Sequence, residues 1–474
     1  MANVHEKINI NSSILHKIES ILGKDNVLTN FEERYCYAYD ATAIGEDLYL
    51  PDLVVLPTSK EQVSELLKIA NANSIPIVAR GAGTNLAGGC VPLKGGVIIH
   101  FSRMNNILNI DKDNLMCTVQ PGVVVEKLQK EIEKLGLFYP PDPSNLKVST
   151  IGGSVALSSS GPRFFKYGGT KDYVLGLEAV MADGTIMKVG GNTAKNATGY
   201  NLTQLFIGSE GTLGIVTEIT LRLIPMPEDR KVLLAFFDSI DNAANAVTGI
   251  ISAKITPATL DLMDKNTMQT IENFHATGLS VEMDAALVIE VDGFSDSVNL
   301  QMQQILEICN KFGAKNIRVS KNEQEREEIW FARRSAFGAV ARLSPNVVTE
   351  DAVVPRAKIP EMIKEIRRIA DKYNLLVCIM GHAGDGNLHP NFSLDLRNKE
   401  EAHNFEMAAA ELFEAAIKLG GTLSGEHGVG MAKAKYLSNA LDNNAIDYMK
   451  AIKNIFDPKG ILNPGKVFYQ EKSQ

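Results

Sequence analysis

The chain has 474 residues, enough for roughly two to four domains at about 150 residues each. Its 48 basic and 56 acidic side chains give a net charge of −8, and without a long basic run this composition argues against a general nucleic-acid-binding protein. No apolar stretch reaches the roughly 20 residues that a membrane span requires. Five scattered cysteines without CxxC spacing and a polar N-terminus, MANVHEKINI, argue against a disulfide framework and an iron–sulfur cluster, and predict a cytoplasmic protein.

The first 227 residues alternate strand and helix patterns. After a helical lead-in over residues 1–50, apolar runs at 53–56 and 75–79 predict two strands joined by an amphipathic helix. Such a β-α-β unit has parallel strands and a right-handed crossover. Thr58 and Glu61 fit a capping box at the start of this helix, because the hydroxyl can accept from a free backbone N–H while the carboxylate reaches back.

A Pro-Met-Pro sequence at 225–227 predicts a domain boundary. Beyond it, strands are predicted at 232–237, 285–291 and 347–354, and amphipathic helices at 241–253, 298–312 and 358–373. This order predicts an α+β layer whose sheet is covered by helices on one face. The segment from Glu426 onward is expected to be mostly helical.

Four loops of the first half are rich in glycine and hydroxyl residues. The first, Arg80–Asn85, follows a strand, and its glycines let backbone N–H groups approach a diphosphate. It is not the Rossmann fingerprint, because Leu86 stands where the third glycine is needed, and alone it fits a plain tight turn equally well. Four such loops in order favour an extended cofactor over coincidence; the other three are PPDPS at 140–144, TIGGSVA at 150–156 and GSEGTLGIV at 208–216.

Two histidine motifs of the second half predict a metal site. His382 and His389 flank a glycine-rich loop after an apolar run, and Glu426 and His427 stand in a GEHG sequence. Two imidazoles and one carboxylate suit zinc, iron or manganese and leave coordination positions open. Either motif alone is equally consistent with a hydrogen-bonded structural histidine. Asp385, between two glycines, is expected to bond the turn rather than a metal.

Three further residues carry simpler interpretations. His100 and His275 lack such neighbours and are interpreted as structural. Arg333 follows Trp330 on a predicted helix, and a solvated helix face is the simple alternative to a functional role.

The first half resembles the FAD-binding domain of the vanillyl-alcohol oxidase / para-cresol methylhydroxylase superfamily. The resemblance covers roughly residues 50–225 and rests on PDLVVLPTSKEQV, IPIVARGAGTNLAGG, TIGGSVALSSSGPRFFKYGGTKDYV and LFIGSEGTLGIVTE. It implies non-covalent FAD, because Thr84 stands where some members attach the flavin through histidine. The implied FAD contacts, with one from the C-terminal LNPGK sequence, are Arg80, Gly81, Ala82, Gly83, Thr84, Asn85, Pro141, Asp142, Ser144, Thr150, Gly152, Gly153, Ser154, Gly211, Gly214, Ile215, Val216 and Asn463.

The HxGDGNxH, GEHG and NPGK sequences extend the resemblance over about residues 30–470, to the FAD-linked oxidase C-terminal family. That family includes D-lactate dehydrogenases, the flavin subunit of glycolate oxidase and D-2-hydroxyglutarate dehydrogenase. The resemblance implies an α+β fold: a two-part FAD-binding domain of the vanillyl-alcohol oxidase type, an α+β cap domain with an antiparallel sheet, and a C-terminal helical segment. The expected division is a lead-in at 1–50, the FAD domain at 51–227, the cap with the metal site at 228–425, and a segment returning to the FAD domain at 426–474.

The resemblance also implies roles for single residues. They are a divalent-metal site (Zn, Fe or Mn) at His382, His389 and Glu426, a base at His427, substrate contact at Asn391 and a carboxylate clamp at Arg333. Relatives acting on D-2-hydroxyglutarate carry a lysine for the distal carboxylate in a YKYDLSLP-like stretch, where this chain has Thr349. This difference favours a short monocarboxylate.

The expected activity is oxidation of a short 2-hydroxy acid, D-lactate to pyruvate first, with hydride transfer to flavin N5. A soluble electron-transfer flavoprotein or an iron–sulfur subunit is the expected electron acceptor, and a quinone at a membrane surface is the alternative. The competing functions are glycolate or D-2-hydroxyglutarate dehydrogenase, a non-redox FAD enzyme of the alkyl-dihydroxyacetonephosphate synthase type, and a flavin-carrying subunit without catalysis.

Overall fold

A computed structural model describes residues 10–43 and 48–469. The polar segment 1–9, on which the expectation about the N-terminus depends, lies outside the described residues. Of the predicted helical lead-in, the structure describes two helices, α1 (Ser12–Leu22) and α2 (Phe31–Tyr35). None of the helices in the described ranges has the length and apolarity needed to cross a membrane.

The N-terminal half contains a mostly parallel sheet, in which only the first strand is antiparallel, and an antiparallel sheet. Its strands are β1 (Val27–Leu28), β2 (Leu53–Val55), β3 (Ile77–Arg80), β4 (Val97–His100), β5 (Ile107–Asp111), β6 (Met116–Val119), β7 (Leu137–Phe138), β8 (Val174–Val180), β9 (Ile186–Gly190), β10 (Ile215–Arg222) and β11 (Ile224–Pro225). One sheet has the order β1-β2-β4-β3, an antiparallel sheet has the order β5-β6-β10-β8-β9, and β7 pairs with β11. The predicted β-α-β strands are parallel, but β4 lies between them and pairs with both.

Short helices connect these strands. They are α3 (Lys60–Asn73), α4 (Val125–Glu133), α5 (Ile151–Leu157), α6 (Phe164–Tyr167) and α7 (Leu202–Phe206). The predicted capping box is one residue too early, because Ser59 caps α3 by accepting from the Gln62 N–H, while the Gln62 amide oxygen accepts from the Thr58 N–H. Thr58 and Ser59 are both good N-cap residues, so the sequence alone does not show which of them caps the helix. The backbone conformation of the turn places Ser59 at the N-cap.

The C-terminal half is built on one antiparallel sheet. Its strands are β12 (Asp229–Phe237), β13 (Thr259–Asp264), β14 (Ala285–Gly293), β15 (Lys315–Val319), β16 (Asn346–Thr349), β17 (Ala352–Val353), β18 (Leu376–His382) and β19 (Asn387–Leu394). Their order is β15-β12-β14-β13-β18-β19-β16, and β17 also pairs with β19. The strand predicted at 347–354 is therefore broken into β16 and β17, and residues 350–351 lie between the two.

Helices cover both faces of this sheet, so the prediction of one covered face is wrong. The helices are α8 (Ile240–Ser252), α9 (Lys265–Phe274), α10 (Ser295–Lys311), α11 (Glu323–Val340), α12 (Ile359–Lys372) and α13 (Lys399–Lys418). Residues of α9 and α11 pack on one face, and those of α8, α10, α12 and α13 on the other. The signal was present in β12, where Val232–Phe237 is apolar at every position, which is typical of a strand buried on both sides.

The C-terminal segment contains α14 (Leu437–Ala440) and α15 (Asn443–Phe456) and then returns to the parallel sheet. Leu462 forms a parallel bridge to Ile77, and the Asn463 N–H donates to the Ile77 carbonyl at 2.7 Å. This part of the C-terminal segment therefore lies beside β3, the strand from which the Arg80–Asn85 loop emerges.

Candidate active site

Three of the four glycine-rich loops meet at the end of β3. A Cβ added to Gly81 would lie 2.3 Å from the Thr150 hydroxyl, so the first loop packs directly on the start of α5. The Gly208 and Glu210 N–H groups donate to carbonyls of α5 at 2.9 and 2.8 Å. Asn463 joins them, because its amide donates to the Glu210 carbonyl, while its Oδ1 is buried without a hydrogen-bond partner among the described residues.

The fourth loop, Pro141–Ser144, is joined to this group by Gly161 and Arg163. A Cβ on Gly161 would lie 2.4 Å from the Asp142 carbonyl, and the Arg163 N–H donates to the Asp142 carboxylate at 3.2 Å. Burial raises the pKa of Asp142 to about 6. A Cβ added to Gly214 would meet Met181 and Phe206, and the Ile215 side chain is in the hydrophobic core, so the predicted FAD contacts of these two residues would be made by their backbone. An extended dinucleotide fits this region. The loops converge, their glycines leave no room for a side chain, and the buried Asn463 Oδ1 atom has no hydrogen-bond partner among the described residues.

The two histidine motifs converge on one carboxylate. His382 ends β18 and His389 lies in β19, the two strands of a hairpin, and their rings are 5.2 Å apart. The Glu426 Oε1 atom is 3.5 Å from His382 Nε2 and 3.3 Å from His389 Nε2. His382 Nε2 is buried and has no hydrogen-bond partner in the described part of the chain. Two imidazole nitrogens and a carboxylate oxygen within 4.8 Å of one another fit a divalent cation.

Asp261 orients both His382 and Arg333, and the sequence did not indicate it. One carboxylate oxygen lies 2.7 Å from His382 Nδ1 and the other lies 2.8 Å from Arg333 Nε. Burial alone would raise the pKa of this carboxyl, but the His382 and Arg333 charges outweigh burial and lower the pKa. A carboxylate behind a ligating histidine fixes the ring orientation and increases its basicity. The signal available in the sequence was an aspartate between two leucines in β13, a strand that also ends on Asp264.

Arg333 and its neighbour have different surroundings. Arg333 is buried on the sheet side of α11, whereas Arg334 is exposed and pairs with Glu327. The solvated-face interpretation therefore fits Arg334 and not Arg333.

The GEHG loop holds His427 beside the two other imidazoles. The His427 ring stacks on the His389 ring with centroids 5.1 Å apart, and its Nδ1 is buried without a partner among the described residues. Burial lowers the pKa of His427 to about 4. An imidazole with that pKa is neutral near pH 7, so one of its ring nitrogens carries no proton, and burial also makes it a weaker base than an exposed histidine.

Asp351 binds the backbone of this loop and is a second residue that the sequence analysis missed. Its Oδ2 atom accepts from the Ser424 hydroxyl and from the Gly425, Glu426 and His427 N–H groups at 2.6–3.0 Å. Its Oδ1 atom accepts from the Asn387 amide at 2.6 Å. Asp351, His389 and His427 also cluster closely enough for a cation. Because both Asp351 oxygens are already occupied, the set containing Glu426 fits a metal better.

Asn391 lies two residues after His389 on β19, and hydrogen bonds hold its side chain. Its amide donates to the His389 and Cys378 carbonyls, and its oxygen accepts from the Thr349 hydroxyl at 2.7 Å. With these three bonds and only 1% of its surface exposed, Asn391 has its polar atoms occupied, and its contact with a substrate stays a prediction. Thr349 is occupied in the same bond. The Asp385 carboxylate accepts from the Asn387 N–H, as expected for a turn.

The two halves of the molecule touch at this site. The Ser160 hydroxyl, from the FAD-side loop after α5, donates to the Glu426 carboxylate at 2.7 Å. The Asn85 amide, in the first glycine-rich loop, donates to the His427 carbonyl at 3.2 Å. The cofactor loops and the histidine cluster are therefore parts of one site.

Comparison with known proteins identifies the class. The family described as FAD linked oxidases, C-terminal domain, matches residues 226–467, and the FAD binding domain family matches residues 51–190. The chain belongs to the FAD-linked oxidase family, is an oxidoreductase by that membership, and FAD is its cofactor.

Individual relatives cover almost the whole chain. It is 48% identical over 462 residues to glycolate oxidase subunit GlcD of Bacillus subtilis (strain 168), covering 98% of each chain. It is 34% identical to a D-lactate dehydrogenase of Anaerostipes hadrus, covering 97% of this chain and 98% of that one. The solved structure of p-cresol methylhydroxylase with substrate bound superimposes with a TM-score of 0.80 at 18% identity, covering 98% of this chain and 99% of the other. This likeness confirms the predicted vanillyl-alcohol oxidase / para-cresol methylhydroxylase fold.

Proposed function

We propose that this protein is an FAD- and metal-dependent dehydrogenase of short 2-hydroxy monocarboxylic acids. The observation that carries the proposal is the convergence of His382, His389 and Glu426 beside the neutral His427, in contact with the flavin-side loops. Oxidation of a 2-hydroxy acid requires removal of one proton and one hydride, and this constellation supplies a base next to a cation site.

Each residue has a separate task in this proposal. His382, His389 and Glu426 hold the divalent cation, and His427 accepts the proton of the substrate hydroxyl. When bound, the metal supplies Lewis-acid charge at the hydroxyl and FAD supplies the hydride acceptor. Arg333 binds the substrate carboxylate through the part of its guanidinium group that is left by two contacts, since Nε lies 2.8 Å from Asp261 and Nη1 donates to the Met380 sulfur at 3.3 Å.

The substrates in this proposal are small acids with a single carboxylate. Thr349 is bonded to Asn391 and carries no charge, so the site lacks the lysine that the resemblance implies for a second carboxylate. Glycolate and D-lactate both fit this class, and relatives named for each cover nearly the whole chain. The 48% identity to a glycolate oxidase subunit makes glycolate the first substrate to test beside D-lactate.

We also propose that the electrons leave through a protein partner. The Bacillus subtilis relative is named a subunit, which supports an oxidase assembled from more than one chain. An electron-transfer flavoprotein or an iron–sulfur subunit accepts from flavin in this proposal. Turnover with an artificial dye but slow reaction with oxygen is the expected behaviour of the isolated chain.

The test of the function is anaerobic mixing of the purified flavoprotein with glycolate, D-lactate, L-lactate and D-2-hydroxyglutarate. We expect loss of the oxidised flavin absorbance with glycolate or D-lactate and little reduction by the dicarboxylate. A flavin that stays oxidised with every acid would refute the dehydrogenase and favour a non-redox or non-catalytic role.

A second prediction concerns how FAD is held. Thr84 cannot form the histidyl bond found in some resembling proteins, so acid precipitation is expected to release all the flavin into the supernatant. The measurement is the flavin absorbance of pellet and supernatant after precipitation. Yellow colour retained by the washed pellet would contradict non-covalent binding.

A further inference from the structure

The loop Gly425–Gly430 carries both Glu426 and His427, and it is bound through its backbone rather than through secondary structure. Five of its six N–H groups donate to just two carboxylates. Those of Gly425, Glu426 and His427 donate to Asp351 at 2.8–3.0 Å. Those of Val429 and Gly430 donate to Glu210 at 2.7 and 2.8 Å.

The two carboxylates come from opposite halves of the molecule. Asp351 lies between β16 and β17 of the cap sheet and is completely buried. Glu210 belongs to the GSEGTLG loop of the N-terminal half and is also buried, with a left-handed backbone at φ 53°. A left-handed conformation is uncommon for glutamate, and here it directs the side chain at the Val429 and Gly430 amides.

The loop cannot shift easily between these two anchors. Gly430 has φ 52°, and a Cβ on it would lie 2.0 Å from the Ala87 carbonyl. Lys433, also buried, places its ammonium 3.8 Å from Asp351 and 3.9 Å from Glu350, so a positive charge lies beside both carboxyl groups. The anchors therefore determine where the Glu426 and His427 side chains point.

We propose that Asp351 and Glu210 are positioning residues that hold Glu426 and His427 in working geometry from the two sides of the active site. This inference deepens the proposed function and rests on it for its catalytic meaning. Through Glu210, the segment that the resemblance assigns to FAD is joined to the loop that carries the base.

The direct test is amide hydrogen exchange of the FAD-bound protein, followed by mass spectrometry on peptides covering residues 424–431. Each substitution replaces one carboxylate oxygen by an NH₂ group, which cannot accept a hydrogen bond. Asp351→Asn and Glu210→Gln therefore each lose acceptors for the N–H groups of the loop. We expect exchange in this loop to become roughly 10- to 100-fold faster in either variant, the factor that corresponds to losing a hydrogen bond to a charged acceptor. Exchange elsewhere should stay unchanged.

Asp264→Asn is the matched control. Asp264 is equally buried and accepts from the Thr267 and Ile379 N–H groups, but it does not contact the loop. It should lower the melting temperature without accelerating exchange at 424–431. Loop exchange equal to wild type in both Asp351→Asn and Glu210→Gln, or equally accelerated in Asp264→Asn, would overturn the proposal; if one test variant is insoluble, the other decides alone.

A second readout separates this inference from the proposed function. Binding of Mn²⁺ or Zn²⁺ alone, measured by titration of the FAD-bound protein, should weaken roughly 10- to 100-fold in either variant, as is typical for residues behind metal ligands. Because the exchange test needs neither metal nor substrate, faster loop exchange in a protein that binds no metal would refute the proposed function and leave the anchors intact. Unchanged metal affinity despite faster exchange would refute the positioning role.

Discussion

His427→Asn is expected to slow flavin reduction by glycolate or D-lactate by about 10²- to 10⁴-fold, the usual contribution of a general base. The His427 ring nitrogens are not among the proposed cation ligands, so metal content and FAD content should match the wild type. Binding of the hydroxy acid should also persist, because Arg333 is unchanged. Stopped-flow absorbance of the flavin gives the reduction rate and its dependence on substrate concentration.

Glu426→Gln provides the contrast for this prediction. The two residues are adjacent, but Glu426 lies between His382 and His389, whereas His427 stacks on His389 alone. Glu426→Gln should therefore lose metal affinity and disturb both substrate binding and rate. Equal metal loss in the two variants, or unimpaired reduction in His427→Asn, would show that the roles are misassigned.

His382→Ala and His389→Ala should each lose most of the bound metal and most of the turnover, with metal affinity falling more than about 100-fold. Changes behind a ligand already cost roughly 10- to 100-fold, and removal of the ligand itself costs more. FAD should remain bound at full stoichiometry, because both histidines belong to the β18–β19 hairpin and not to the glycine-rich loops. Metal analysis and the flavin spectrum of the same samples measure both quantities.

His275→Ala is the control for these two variants. His275 is exposed on the same half of the molecule and contacts the Phe331 ring edge-on at 5.4 Å, away from the cluster. It should keep metal, flavin and rate. Normal metal content and activity in His382→Ala or His389→Ala would rule out the ligand assignment, whatever the control shows.

Local sequence was enough to predict the elements that depend on short-range chemistry. The predicted helices at 241–253, 298–312 and 358–373 correspond to α8, α10 and α12 within three residues at each end, because apolar side chains recur there at helical spacing. The cofactor loops and the three histidines were also visible, since glycine at a close backbone approach and imidazole in a turn leave a local signature. The prediction that helices cover only one face of the cap sheet was wrong. The continuous apolar run of β12 already indicated a strand buried on both faces, and α9 and α11 cover the second face.

The tertiary structure decided which polar side chains support the site. Asp261, Asp351 and Glu210 stand 121, 76 and 219 residues from their partners His382, His427 and Val429, so no spacing in the sequence could join them. Asn391 shows the same limit, because no local pattern predicted that its amide would donate to the His389 and Cys378 carbonyls. The sequence by itself determined the cofactor class and the histidine and glutamate residues that are candidates for a metal site, because these are properties of short motifs. Only the folded chain decided how the carboxylates are shared, because burial forces each charged group to find donors wherever packing brings them.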